Sequence, residues 1–534
     1  MSISNISCRS CNALNTRLAE QKELSGLLAK QLRQREHLCQ ELASELDKTK
    51  AQLSRREFEI RQLQRELESV KAQNTTLKRQ VFGVKTEATP VKSIATVIQK
   101  RPKGKQVGTK GFGRFVRESL PLEDVAHSFD KPPFCSTCGA KYAPFPQAEI
   151  SEEIHRETSI VRLRHFRPKA KKTCKCINTP TIITAPGTER LPKSLFSIDL
   201  ITFLLIAKYH YQMPVNRLRK QLELEGLKVS SGTLTEVFKR IAKLVEPLRG
   251  KLEEAVTNAA QWQMDETRWK VFAEQEGKEG NDWWLWVTVT QKVNLFTLDP
   301  SRSAKVPQRL LKDAQAGVLT SDRYSAYRCL GDKVSNAWCW AHVRRDFIRL
   351  KDGYPEQASL AEHWIDNIRQ LYQLNKARLS EEAESEEFLK QEQKLKDLLD
   401  CMKEEFSQAL KEASLHAGVR KVFESLERHW AGLRLFADLP GIPMDNNASE
   451  RALRQPVIAR KASYGSGSKW SGEFAATMFS LFQTLEKNKA DPRLWLIEYL
   501  KACARNKGQP PDDLSPHIPW DEKPLKLQPE LLAV

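Results

Sequence analysis

Long apolar runs are missing from this 534-residue chain. The most apolar stretch, "LFSIDLITFLLIA" at 195–207, is too short to span a bilayer and carries Asp199. An export signal is missing as well, because "MSISNISCRSC" lacks a basic-then-apolar design. Nor is there a disulfide framework: the eleven cysteines are odd in number and scattered along a long chain, which suits a reducing cytosol with thiols or metal ligands. Acids are in deficit. Lys and Arg number 86 against 67 Asp and Glu, a surplus of 86 − 67 = 19, and the pI is about 9.4. These absences exclude a membrane protein and a secreted disulfide scaffold, and predict a soluble intracellular protein. The surplus of bases points to a polyanionic partner, nucleic acid before membrane, although a basic protein without such a ligand would show the same charge.

What is present begins with a heptad over residues 14–81. Position a falls on Leu18, Leu32, Cys39, Leu46, Leu53, Ile60, Leu67, Asn74 and Val81, and position d on Leu14, Leu28, Leu42, Leu63, Val70 and Leu77. Gln21, Ser25, Arg35, Thr49 and Arg56 interrupt the seam. The pattern predicts a leucine-zipper-like coiled coil over 1–85, roughly 100 Å long at about 1.5 Å per residue, with Asn74 as the polar residue that fixes a two-stranded register. Residues 86–125 read as a basic linker around "KRPKGKQVGTKGFGRFVR", either a solvated tether or a segment lying along phosphates. Over 126–185, Cys135-x-x-Cys138 and Cys174-x-Cys176 suggest a structural zinc knuckle, with His155 or His165 able to replace one sulfur, since a single intervening residue strains tetrahedral chelation. From 186 to 255 the pattern is helical. A Gly-containing turn and a Ser/Thr start to the last helix give helix-turn-helix grammar, which non-binding bundles also use.

After residue 260 the period changes to two. "WQMDETRWKVF" alternates around Asp265, and "DWWLWVTVTQKVNLFTL" holds two strands and a turn. "AGVLTSDRYSAY" is a strand ending at Asp322, "SNAWCWAHVRRDFIRL" is a strand running into a helix, and a charged helical stretch fills roughly 355–430. An acid within a first strand and another at the end of a later parallel-type strand can converge at one sheet edge. A third on a helix packed there, Glu450 in "MDNNASERALR", would complete a set of hard oxygen donors for magnesium. Phosphoryl transfer uses two such ions ~3.5–4 Å apart. Glu450 has a second reading: Asn447 and Glu450 match a capping box, and Glu450 with Arg454 an ordinary helix ion pair.

Taken together, "MDETRWKVF", "TSDRYSAY", "CWAHVRRDF" and "MDNNASERALRQPVIARK" resemble the insertion-sequence-66 family of bacterial transposases, in order and in spacing, and the resemblance extends over most of the chain. It implies a multidomain α+β protein: the coiled coil, the small zinc-knuckle-like module, the helix-turn-helix region and a ribonuclease-H-like α/β catalytic domain of the DDE class. That domain would occupy 256–350 and 441–505 around a helical insertion at 351–440, with a tail at 506–534. Carried over by position, the triad is Asp265, Asp322 and Glu450, holding two magnesium ions or manganese in their place. Cys339 and His342 match the family's C-x-x-H element, with a buttressing role. Arg451, Arg454, Arg460 and Lys461 then fall where they would hold DNA phosphates, or form a solvated helix face. The Cys174-x-Cys176 pair departs from the family's usual second C-x-x-C. The implied partners are DNA, as element ends and target, a second copy of the chain or a higher oligomer, and small accessory proteins of the same element. The implied location is the bacterial cytoplasm at the nucleoid. The implied activity is DNA cleavage and strand transfer. A DNA-binding protein with a decayed catalytic domain, or a ribonuclease-H-like nuclease without transposition, are the alternatives.

Overall fold

The computed structural model describes residues 9–82, 159–171, 182–272, 280–314, 316–328, 330–331 and 333–520. The basic linker and Cys135, Cys138, Cys174 and Cys176 lie outside the described residues. The chain divides into two compact units, Met1–Gly83 with Leu163–Val534, and Val84–Arg162; every helix and strand described belongs to the first.

Helix α1, Arg9–Phe82, is one continuous helix of 74 residues over the heptad stretch. Its side chains from Leu14 to Gln64 are all exposed, including the a and d leucines. Strands β1 (Lys169–Lys171) and β2 (Ile182–Thr184) form a short antiparallel ladder. Helix α2, Ile198–Leu205, starts at Ser197, whose hydroxyl accepts from the Leu200 N–H, and it continues into a π-helical turn at Ile206–His210. Helix α3, Val215–Leu224, and helix α4, Ser231–Thr257, are joined through Gly226, which takes a positive φ of 88°. Ser230 opens α4 by accepting from the Thr233 N–H at 3.1 Å. Leu234, Phe238, Ile241, Val245, Leu248 and Leu252 recur at helical spacing and bury one face of α4.

A five-stranded sheet follows. Its strands are β3 (Gln261–Lys270), β4 (Asp282–Val289), β5 (Asn294–Asp299), β6 (Gly317–Ser321) and β7 (Val334–Trp338), in the order β5-β4-β3-β6-β7. The first three form an antiparallel meander, whereas β6 runs parallel to β3 and β7 parallel to β6. The chain crosses from β5 to β6 by way of helix α5, Lys305–Leu310. At the start of β6 a Cβ on Gly317 would stand 2.4 Å from the Ala260 carbonyl oxygen, so only glycine permits β6 to lie this close to the entry of β3.

Helix α6 (Trp340–Gly353) leads out of β7 into the charged stretch read as an insertion, which α7 (Ala358–Ser380), α8 (Glu386–Ala409) and α9 (Ala417–Asp438) occupy. Their shared interior is aromatic: Phe347 stacks on Trp364 at 5.0 Å, and Phe406 meets Trp430 at 5.0 Å. The chain then enters α10 (Asn447–Ser463), α11 (Lys469–Lys487) and α12 (Pro492–Arg505). Residues Phe474–Leu485 of α11 are buried throughout, and its Ser480 and Thr484 hydroxyls accept from the Phe296 and Asn294 N–H groups of β5. Among the described residues no helix is long and apolar enough to cross a membrane.

Candidate active site

The parallel pairing of β3 with β6 sets Gln261 beside Val318, Trp262 beside Leu319 and Gln263 beside Thr320. Asp265 and Asp322 each come two residues after the last paired positions, Gln263 and Thr320, so the period-two alternation sends both toward the same face, and the Asp322 charge is felt at Asp265. Asp322 lies immediately past the end of β6, where its Oδ1 accepts the Tyr324 N–H at 3.0 Å and so shapes the turn. Asp265 Oδ1 accepts the Glu266 N–H at 2.8 Å.

Glu450 lies one turn into α10, and its surroundings correct the capping-box expectation. The helix begins at Asn447 behind Asn446, and no side chain of Asn446 caps it. Asn446 is buried and serves as a tie instead: its Nδ2 donates to the Met264 carbonyl of β3 at 2.8 Å, and its backbone N–H donates to Cys339 Sγ at 3.2 Å. The first free N–H groups of α10 are met from outside the expected box. The Asn447 N–H reaches Asp445 Oδ1 at 3.1 Å, and the Ala448 N–H reaches Gln263 Oε1 at 3.3 Å. Glu450 is thereby released from capping. Its Oε1 accepts from Arg345 Nη2 at 2.7 Å and lies 3.8 Å from His342 Nε2, so its ion pair is with Arg345 across the fold and not with Arg454 along the helix.

Cys339 and His342 buttress this arrangement. The Cys339 N–H donates to the Ser321 carbonyl, one residue before Asp322, while its sulfur receives Asn446, four residues before Glu450. Burial pushes the Cys339 thiol up to about 11, so it stays protonated. His342 is held below the ordinary imidazole range by burial and then by the Arg345 charge, whose Nη1 is 3.1 Å from Nε2.

The acids feel one another. Burial pushes the Asp265 carboxyl up from an ordinary 3.8 to about 7, with further upward contributions from the charges of Glu266, Asp322 and Glu450, against the opposing Glu266 N–H bond. Glu266 points the other way on β3. It is buried against Arg302 at 2.7 Å and the Tyr327 hydroxyl, which donates to it. Among the described residues no three His, Cys, Asp or Glu side chains stand close enough together to enclose a metal ion. Arg451, Arg454 and Lys461 are exposed on α10 and Arg460 is half-buried. The first three share a stripe with exposed Ile458, at steps of three, four and three residues.

Sequence reasoning missed Arg345 and Asn446. Both lay within segments already singled out, "CWAHVRRDF" and "MDNNASE", and the three-residue step from His342 to Arg345 places them on one helix face.

The model of the family described as "Transposase IS66 family" matches residues 193–474, more than half of the chain and the whole span from α2 to the start of α11. The chain belongs to the IS66 family of transposases. Its family match contains all three acids, the C-x-x-H element and Arg345. Two similar proteins of Sinorhizobium fredii carry only the description uncharacterised. y4hP is 24% identical over 448 residues, covering 79% of this chain and 79% of its own. y4jD is 24% identical over 442 residues, covering 79% and 84%. Among solved structures, the Drosophila P element transposase strand transfer complex aligns with a TM-score of 0.34 and 10% identity over 55% of this chain and 94% of that one, too remote a likeness to bear on this IS66 transposase's own geometry.

Proposed function

We propose that this IS66-family transposase cuts and joins DNA by phosphoryl transfer at Asp265, Asp322 and Glu450, on a ribonuclease-H-like catalytic domain. The observation that supports this reading best is the parallel register of β3 and β6, whose last pair, Gln263 with Thr320, lies two residues before Asp265 and Asp322. The strand order, an antiparallel meander extended by two parallel strands, supports the domain assignment.

Magnesium fits this donor set. Three carboxylates offer the hard oxygens magnesium takes, and Asp265, pushed up first by burial and then by the charges of Glu266, Asp322 and Glu450, is a group whose ionised form a cation would favour. When bound, two divalent ions, magnesium or manganese, supply Lewis-acid activation of the attacking oxygen and stabilisation of the leaving one. The chain's own groups have distinct tasks. Asp265 must give up the carboxyl proton that its surroundings favour. Glu450 must turn its Oε1 away from Arg345. Asn446 and Cys339 keep the start of α10 against the ends of β3 and β6 while that exchange takes place.

The remaining parts are assigned to DNA and to assembly. The basic linker 86–125 and the helices of 186–255 bind element ends, a zinc-bound knuckle formed by Cys135, Cys138, Cys174 and Cys176 assists them, and Arg451, Arg454, Arg460 and Lys461 hold phosphates beside the acids. Helix α1 pairs two copies. The test is cleavage and joining of labelled DNA carrying the inverted repeats that flank the gene, in magnesium. Nicks without joined products would reduce the reading to a nuclease, and no metal-dependent nicks at all would reject it.

A further inference from the structure

A cleft of about 710 Å³ opens between the π-helical turn, α3 and α4 on one side and the end of α10 with the loop into α11 on the other. Its volume is in the range of small-ligand pockets, about 300–1,000 Å³. Aromatic rings of Tyr209, Phe238, Trp269 and Trp470 line it, with Lys208 and Arg217, and not one lining residue is acidic. The Lys208 amine stands 5.1 Å from the Tyr209 ring centre and 5.9 Å from that of Phe238. Burial lowers its pKa to about 8, so it is a cation that gains from an anionic neighbour. A π-helical turn at this point is itself a feature frequent at functional sites.

The opposite wall is fixed in place. Ser466 accepts from Trp269 Nε1 through its hydroxyl at 3.0 Å, donates its N–H to the Lys270 carbonyl and accepts from the Phe272 N–H, so the loop extends β3. Gly465 makes that approach possible, since a Cβ there would lie 2.3 Å from the Lys270 oxygen.

Two paths connect the cleft to the acids. Trp269 is four residues beyond Asp265 on the same face of β3, ~13 Å at about 3.3 Å per residue. Ala459 is nine residues beyond Glu450 on α10, ~14 Å at about 1.5 Å per residue. That separation matches about four nucleotide steps at ~3.4 Å. The exposed stripe of Arg451, Arg454 and Lys461 runs along the solvent side of the same helix.

We propose that the cleft receives one unpaired nucleotide of the DNA strand, its base against the half-exposed Trp470 and the exposed Tyr464 over a floor of the buried Trp269 and Phe238, and its phosphate on Lys208 and Arg217. This deepens, and rests on, the reading of the chain as a DNA-cutting transposase. Base stacking on aromatic side chains suits any base, and an acid-free basic rim suits the backbone. The base must leave its duplex to enter, which selects for strand ends, nicks and distorted steps.

The test uses the full chain in EDTA, so that it does not depend on cutting. Affinities are measured for a ten-nucleotide oligothymidylate and for a blunt duplex of arbitrary sequence. Trp470→Ala and Lys208→Met are each expected to weaken oligothymidylate binding by about tenfold while duplex binding stays unchanged, with Trp470→Phe recovering most of the loss. Equal losses on both DNAs, or no loss on either, would overturn the proposal. Wild-type protein provides a readout without substitution: a duplex with one unpaired 5-iodouracil, irradiated in complex, should crosslink to Tyr464, Trp269 or Trp470. Crosslinks found only elsewhere would overturn it too. Failure of magnesium-dependent cutting with intact oligothymidylate selectivity would count against the transposition chemistry and leave the nucleotide cleft standing.

Discussion

Glu450 separates two roles that one sequence pattern allows. As a capping partner it would tolerate Glu450→Gln, since glutamine also serves a capping box. In the structure its carboxylate faces Arg345 and His342, and other groups satisfy the helix start. Glu450→Gln should therefore leave folding and DNA binding in place while cleavage and joining collapse, with Asp265→Asn and Asp322→Asn alike and their losses not additive, because each disables one shared site. Cutting near the wild-type rate by the glutamine variant would return Glu450 to a structural role. Asp265 adds a pH dependence of defined sign. Its carboxyl titrates near 7 when folded against an ordinary 3.8. Between those values the folded chain keeps a proton that the unfolded chain has lost, so metal-free stability should fall as pH rises from about 4 to about 7 and level off above. Asp265→Asn should then melt higher than wild type at pH 8 without metal. Magnesium should raise the wild-type melting temperature more at pH 8 than at pH 6, where it must displace the proton. A wild-type melting curve indifferent to magnesium at pH 8 would argue against a cation at these acids.

At the scale of elements, the site depends on α10 being fastened to β3 and β6, and Asn446 is the fastener. Asn446→Asp keeps the shape but loses the donor to Met264 O and sets an acid against that carbonyl. It should destabilise by about 1–3 kcal/mol, read by denaturant unfolding, and lower cutting with it. Unchanged stability would show that the tie is dispensable. How much of this could be read beforehand follows from range. Strand and helix identities around Asp265, Asp322 and "CWAHVRRDF" are legible in local periodicity, and so is the parallel character of β6 that sets its end, before Asp322, beside β3. The helix start did not. Asn447 and Glu450 have the spacing of a capping box, but the outcome was decided by Met264, Gln263 and Cys339, residues more than 100 positions away in sequence. The partnership of Glu450 with Arg345 was hidden for the same reason. The cleft walled by Lys208 and Trp470 joins segments more than 250 residues apart, and no local pattern marks it.

At the scale of the whole molecule, two parts act beyond the sheet. The four cysteines of the knuckle lie outside the described residues, and their test is compositional: about one zinc per chain in purified protein, lost when Cys135 and Cys138 are both changed to Ser. Elemental analysis without zinc in the wild type would leave them as plain thiols. Helix α1 raises the larger question. Its leucines at Leu14, Leu18, Leu28, Leu32, Leu42 and Leu46 are each more than half open to solvent in a single chain, a row of apolar surface that a lone helix gains nothing by displaying. A second copy packed a-to-a and d-to-d would bury it, and would also hold two DNA ends together before joining. Because the described side chains of α1 are all exposed and α6 is the element that lies against it, deleting residues 1–85 should leave the remaining chain folded, with metal-dependent nicking close to wild type. Paired-end complexes and joined products should disappear, and sedimentation should show the mass of one chain in place of two. If the shortened protein still sediments as a dimer and still joins ends, pairing belongs to another surface, and the exposed seam of α1 has some other partner.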